Sequence, residues 1–267
     1  MRKLGGYDGM AAPQDEYDDR MLTMLQLIWG EGFLSPGGPE AVREIVAGMD
    51  LDGLEVLDIG CGLGGLDQVL VGLGQCRVTG LDVAKPLVMR AQERIRAAGQ
   101  DRQIQFRHYD PGPLPFADSS FDLVFGKDSW LHIEDKDSFF REIVRILKPG
   151  GRVAAGDWMK SSGPYSSDML YFFKMEGLTY FLITLEEYTA KLRRAGLADI
   201  RTLDLTEQYR TDAHGEHERL KGSLFDALTR QLGNQSRDHF IEDWRSLTIV
   251  LDKGELRPAR FWAKKPG

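Results

Sequence analysis

Residues 55–65 read Glu-Val-Leu-Asp-Ile-Gly-Cys-Gly-Leu-Gly-Gly and hold the chain's densest group of residues suited to binding chemistry. Val56 to Ile59 has the composition of a buried strand. It breaks into Gly60, Gly62, Gly64 and Gly65 before helical spacing sets in over Leu66 to Leu73. A strand that turns through glycine into a helix N-terminus lets a ligand approach the backbone closely, with amide donors facing it. Gly60, Gly62 and Gly65 also fit the dinucleotide spacing G-x-G-x-x-G, so the glycines alone leave that ligand open. Asp58 ends the strand, where a pyrophosphate binder avoids negative charge and a cationic ligand, a sulfonium or an α-amine, is favoured. Asp82 closes the next apolar stretch, Arg77 to Val83, about 20 residues on, where a carboxylate holds a ribose diol. A nicotinamide dinucleotide would use Asp82 as well, which makes Asp58 the discriminating acid. Further along, Gly-Lys-Asp-Ser-Trp-Leu-His132 sets Asp128 and His132 four apart, on one face of a helical turn.

These residues need a scaffold, and the pattern around them supplies one. Apolar strand-like runs at 56–59, 77–83, 104–109, 121–125 and 152–155 alternate with helical spacing at 65–73, 85–98 and 136–147. That is the rhythm of a doubly wound α/β sheet, in which ligands sit beyond the carboxyl ends of the strands. Asp58, Asp82, Asp110, Asp128 and Asp157 all fall at such ends in this reading. Residues 1–14 are polar and glycine-rich, expected to be mobile without ligand. Helices are expected over 15–29 and 39–49, either as a surface layer or as a lid over the site. After Trp158 an aromatic run at 165–181 leads into Thr184-Leu-Glu-Glu187, which has the form of a capping box. Helices at 184–195, 216–232 and 236–253 and strands at 200–205 and 259–264 complete the pattern. The expected organisation is lid helices over 1–50, a Rossmann-like core over 51–160, and a helical cap with the last core strands over 161–267, within one structural domain.

At 267 residues the chain can bury a large core. A net charge of −7 argues against nucleic acid, because binding phosphates needs a basic face. No apolar run reaches the roughly 20 residues that span a bilayer, and the first residues lack the apolar core of a signal peptide. The two cysteines, Cys61 and Cys76, make no disulfide framework. His214 and His217, three apart on a charged stretch, read as a solvated face, and no metal site is expected. A cytoplasmic enzyme acting on a small molecule fits, as a monomer or weak homodimer without nucleic acid or membrane partners.

Asp58, the glycine turn and Asp82 together resemble the S-adenosylmethionine (SAM) site of class I methyltransferases. With the Trp-Gly-Glu-Gly-Phe-Leu-Ser-Pro-Gly-Gly loop at 29–38, the segment around Asp128 and Leu-Ile-Thr-Leu-Glu-Glu-Tyr at 182–188, the chain resembles the phosphoethanolamine/phosphobase N-methyltransferases along nearly its whole length. The resemblance implies SAM contacts at Ser35, Asp58, Gly60, Gly62, Asp82, Val83, Asp110, Pro111 and Lys127, with Asp110 accepting from the adenine amino group. It implies a Tyr17–His132 pair that closes the site and assists proton removal, and an amine contact at Asp128. It also marks departures. Where that family holds a substrate phosphate with an arginine, a lysine and two tyrosines, this chain has Leu178, Leu247, Trp158 and Tyr180, and a lid tyrosine is replaced by Leu25. The expected reaction is N-methylation of a small phosphate-free amine or amino acid. The alternatives are a phosphoethanolamine-type enzyme with a rearranged phosphate site, its cations Lys174 or Arg245, or methylation of oxygen or sulfur. A nicotinamide oxidoreductase and a SAM-fold binding protein without turnover are the other classes, disfavoured by Asp58 and by the intact Tyr17, Asp128 and His132 respectively.

Overall fold

A computed structural model describes residues 17–267; the expectation for residues 1–14 lies outside them. Helices α1 (Asp19–Trp29) and α2 (Gly38–Ile45) precede a run in which β1 (Glu55–Ile59), α3 (Gly65–Leu73), β2 (Arg77–Asp82), α4 (Lys85–Ala97), β3 (Ile104–His108) and β4 (Phe121–Lys127) follow in order. A single 3-10 turn, Trp130–His132, leads to α5 (Lys136–Ile146) and β5 (Leu147–Lys160). The chain closes with α6 (Ser167–Glu176), α7 (Leu185–Arg194), β6 (Ala198–Asp204), α8 (Thr206–Lys221), α9 (Phe225–Asp252) and β7 (Leu256–Lys264).

The seven strands form one sheet in the order β3-β2-β1-β4-β5-β7-β6. The first five run parallel, and β7 lies antiparallel between β5 and β6. Strand side chains alternate between two buried faces, as a central parallel sheet requires. Leu57, Ile59, Val124 and Val153 face a core built with α5 and α7, while Val56, Leu123, Phe125 and Ala154 face one built with α2, α3 and α4. The strand order reverses between β2-β1 and β4, so the crevice that receives a ligand opens above Ile59 and Lys127.

The cap is a third cluster, in which Met169 and Phe172 of α6 meet Tyr209 of α8 and Leu247 and Val250 of α9. Helix α1 bridges cap and core: Met24, Leu25 and Ile28 pack with Leu220, Leu228, Phe240 and Trp244, while Leu22 packs with Leu63, Ala84 and Leu87. The Thr184 capping box is present, with Glu187 N donating to Thr184 Oγ1 at 3.2 Å and Thr184 N to Glu187 Oε2 at 2.8 Å.

Several expected boundaries move. Helix α1 starts at Asp19 because the Asp18 side chain accepts from Met21 N at 2.8 Å and so caps it. The helices expected at 216–232 and 236–253 are instead α8 and α9, broken at residues 222–224. Gly233, where the break was expected, is a kink inside α9 with φ 79°. The start of α8 escapes a periodicity reading because it buries only Tyr209, Ala213, Glu216 and Leu220 along its length. Strand β5 runs on to Lys160, which places Asp157 inside the strand rather than at its end.

Candidate active site

The glycine turn is shaped by what crowds it. Gly60 and Gly62 have φ of 87° and 53°, a region disfavoured for side-chain-bearing residues. A Cβ on Gly60 would lie 2.2 Å from Cβ of Ser129. Ser129 Oγ and Trp130 Nε1 both donate to Ile59 O, at 2.7 and 3.1 Å, so the turns after β1 and β4 are locked together. Gly65 N donates to Gly32 O at 3.2 Å, and a Cβ there would stand 2.4 Å from that oxygen. Its missing side chain lets the loop after α1 lie directly on the turn.

Above the turn opens a cavity of about 960 Å³. Among the residues expected to hold a cofactor, Ser35, Gly60, Gly62, Asp82, Val83, Pro111 and Lys127 line it. Asp82 is held rigidly: Oδ2 accepts from Gly62 N at 2.9 Å and Oδ1 from Ala84 N at 2.8 Å. Burial raises its pKa, and those amides work against the rise. Asp58 and Asp110 are not part of the wall. Asp110 is exposed, between the wall residues Tyr109 and Pro111. Asp58 is fully buried beneath the turn, and neither its carboxylate nor that of buried Asp67 receives a donor from any other group. Burial, then the charges of Asp67 and Asp82, push Asp58 well above the usual carboxylate range, and burial lifts Asp67 to about 7. Asp58 thus lies behind the glycine turn, outside the cavity wall.

A second, smaller cavity of about 70 Å³ adjoins the first. Trp158, Leu178, Tyr180 and Leu247 all line it, as do Leu25 and Glu176. Tyr17, Leu34, Ser35, Asp128 and His132 line both cavities, so the three residues expected to be catalytic stand at the junction. No lysine or arginine lines the smaller cavity among the described residues. Lys174 and Arg245 stand outside it, the latter donating to Glu242 at 2.7 and 2.6 Å.

His132 Nδ1 lies 2.7 Å from Thr179 O. A carbonyl only accepts, so Nδ1 carries the proton and Nε2 keeps its lone pair. Burial holds the ring below its ordinary pKa, hence neutral at pH 7, and it stacks on Tyr180 at 5.4 Å between centroids. Asp128, at φ 54°, is ion-paired with Lys127, whose Nζ also donates to Ser35 Oγ at 2.9 Å. The acid at the junction is thus already matched by a cation.

Two supporting residues, Lys136 and Glu216, escaped the sequence reading, and a third, Asp157, was read only as a strand-end acid. Lys136, 3% exposed, donates through Nζ to Trp130 O, Ile133 O and Phe181 O at 3.0, 2.8 and 3.0 Å. Asp157 accepts from Leu131 N at 3.1 Å and from Tyr188 Oη at 3.2 Å. Both hold the turn that carries His132. Glu216 accepts from the indoles of Trp29 and Trp244 at 2.6 and 3.0 Å, pinning α1 to the cap. A lysine opening a helix and an acid within a charged one both read as solvated, so neither gave a signal. Trp130, buried among Phe139, Phe140 and Phe261, is a core residue.

Residues 57–155 match the family described as methyltransferase domain. The chain is 30% identical over 251 residues to phosphoethanolamine N-methyltransferase 1 of Zea mays, covering 94% of this chain and 49% of that protein. The chain carries a methyltransferase domain, and its fold is that of the class I SAM-dependent methyltransferases. It is 32% identical over 178 residues to the 27-O-demethylrifamycin SV methyltransferase of Amycolatopsis mediterranei (strain S699), covering 66% and 65% of the two chains. Phosphoethanolamine N-methyltransferase 2 of Haemonchus contortus, solved with phosphomonomethylethanolamine and S-adenosylhomocysteine, superposes with a TM-score of 0.87. It shares 26% identity, over 95% of this chain and 59% of that one. The chain spans about half the length of the plant phosphoethanolamine methyltransferases it matches. SAM is the cofactor of the family, and the larger cavity suits it: a glycine cradle that a Cβ would fill, an amide-anchored Asp82 for a ribose, and Lys127 beside Ser35.

His214 pairs with Asp252 at 3.0 Å, and among the described residues no cluster of ligands for a metal ion occurs. No described helix is long and apolar enough to cross a membrane.

Proposed function

We propose that this chain transfers a methyl group from SAM to the nitrogen of a small amine that carries no phosphate. The observation that carries the reading is the junction: Tyr17, Ser35, Asp128 and His132 line both cavities, and no described lysine or arginine lines the smaller one. A phosphate set against Leu178, Leu247 and Glu176 would be buried without compensation, at a cost of several kcal/mol.

Bound SAM supplies an electrophilic methyl carbon on a sulfonium, open to in-line attack. The chain contributes position, exclusion of water and removal of a proton. An alkylamine is protonated at pH 7, as lysine is, and has no lone pair until that proton leaves. His132 is suited to receive it, being neutral and turned so that Nε2 is the accepting atom. Tyr17 borders the same space and serves in the relay. Asp128 and Lys127 set a fixed dipole at the junction, and the aromatic side chains of Trp158 and Tyr180 line the space that a cationic acceptor would enter. O-methylation is the second reading, favoured by a neutral histidine that serves a hydroxyl equally well and by the likeness to a rifamycin methyltransferase.

Release of S-adenosylhomocysteine across a panel of short amines, N-methylglycines, hydroxy acids and phosphoethanolamine tests the proposal. Turnover of amines without phosphate is expected. Turnover of phosphoethanolamine alone refutes it.

A further inference from the structure

The smaller cavity is walled by hydrocarbon on both sides: Met21 and Leu25 from α1, and Phe172, Phe173, Leu178 and Leu247 from the cap. The polar groups along it are engaged inside the protein. The indole N–H groups of Trp29 and Trp244 both turn away to Glu216, at 2.6 and 3.0 Å. Ser35 Oγ accepts from Lys127 Nζ at 2.9 Å, and that ammonium is paired with Asp128. Glu176 accepts from Tyr180 and hydrogen-bonds the carboxyl of Asp243, which stands outside the wall. Burial raises the pKa of both acids, so the pair holds a proton between its own oxygens. His132 donates through Nδ1 to Thr179 O and keeps Nε2 for the junction between the cavities.

A hydroxyl, carboxylate or phosphate set among these groups loses its water without gaining a partner, whereas a methylene loses nothing. The cavity also sets a length. At roughly 10–15 Å³ per water-sized probe, about 70 Å³ admits about five to seven heavy atoms. With an amine nitrogen at the junction, that leaves room for a chain of about four to six carbons.

We propose that the acceptor is a short, otherwise unsubstituted alkylamine, its nitrogen at the His132 junction and its hydrocarbon tail in the smaller cavity against Leu178 and Leu247. This rests on the phosphate-free amine reading and narrows it. Amino acids, amino alcohols and diamines each carry a second polar group into the apolar end.

The test is titration calorimetry on the S-adenosylhomocysteine-loaded protein with propylamine, pentylamine, 4-aminobutan-1-ol and phosphoethanolamine. The amino alcohol has as many heavy atoms as pentylamine, with a hydroxyl in place of the terminal methyl. Release of S-adenosylhomocysteine from SAM with the same compounds follows, for the wild type and Leu178→Asn. An apolar pocket discriminates against a hydroxyl isostere by up to about a hundredfold, so pentylamine is expected to bind at least tenfold more tightly than the amino alcohol. Kd should also fall about threefold or more with each methylene from propylamine to pentylamine. Leu178→Asn puts an amide into the hydrocarbon wall and should cut the preference for pentylamine over the amino alcohol at least fivefold. An S-adenosylhomocysteine affinity within twofold of wild type reports that the variant is folded, and the wild-type comparison of the two isosteres needs no variant. Equal binding of the isosteres by the wild type, with turnover of both, overturns the apolar tail site and leaves the amine reading standing. A preference retained in full by folded Leu178→Asn also overturns that site. Turnover of phosphoethanolamine alone, or of none of the amines, overturns both.

Discussion

Lys136→Met replaces a buried ammonium by an apolar chain of similar length. It removes the donor of Trp130 O, Ile133 O and Phe181 O together, at 3.0, 2.8 and 3.0 Å. A hydrogen bond to a charged group contributes about 1.5–3 kcal/mol net, and three sharing one ammonium do not add. The substitution also leaves Asp157, which feels the Lys136 charge, without its cation. Leaving buried carbonyls without their donor costs about 1–3 kcal/mol apiece without simple additivity, so a loss of about 3 kcal/mol is expected in urea unfolding. It is a large share of the roughly 5–15 kcal/mol that holds a protein together. The functional effect follows from what Lys136 ties down. Trp130 and Ile133 bracket His132, and Phe181 lies in the segment whose Thr179 carbonyl orients the imidazole. A displacement of about 1 Å at His132 lowers kcat by about a hundredfold. SAM affinity, set by Asp82 and the glycine turn, should stay within about threefold by calorimetry. A Lys136→Met protein with wild-type kcat, or with a stability loss below about 1 kcal/mol, refutes the view that this lysine positions the catalytic turn.

Other outcomes follow from the same structure. His132→Ala should lower kcat by about 10²–10⁴ with SAM affinity unchanged, by the same two assays. His132 also contributes a pH effect on stability: its folded pKa lies below 6.5, so the unfolded chain binds the extra proton and stability falls as pH drops below about 6.5. His132→Gln should flatten that part of the curve. Gly60→Ala forces a Cβ into Ser129 at positive φ, for a loss of about 1–3 kcal/mol and at least tenfold in SAM affinity. Gly72→Ala, in a helix with nothing within 4 Å of the new Cβ, should be neutral or stabilising. Glu216→Leu strands the indoles of Trp29 and Trp244 and should cost about 1–3 kcal/mol in denaturant titration while raising acceptor KM.

The parts of the site that were legible in the sequence are those fixed by neighbours along the chain. A strand breaking into glycines, an acid at the end of the next strand and a capping box at Thr184 are local patterns, and each stands where its spacing put it. Lys136 and Glu216 were not legible, and Asp157 was read as a strand-end acid when it stands inside β5 and holds Leu131 N, because what makes each one matter is a partner far away in sequence. Glu216, for instance, joins Trp29 and Trp244 across 187 and 28 residues. The division of α8 from α9 was misplaced for a related reason: a helix that buries few apolar side chains announces itself weakly, and Gly233 looked like a stop but only kinks.

Sequence alone determined that this is a doubly wound α/β chain with a strand breaking into a glycine turn, an acid closing the next strand and a turn that carries Asp128 and His132. Those are matters of residue type and period. Tertiary structure decided charge and access. It withdrew Asp58 beneath the floor, matched Asp128 with Lys127, gave His132 its tautomer through Thr179 O, and brought Glu176 to Asp243 with no cation between them. The physical reason is that periodicity fixes which face of an element is buried, whereas the protonation of a buried group depends on which charges the fold brings within a few ångströms of it.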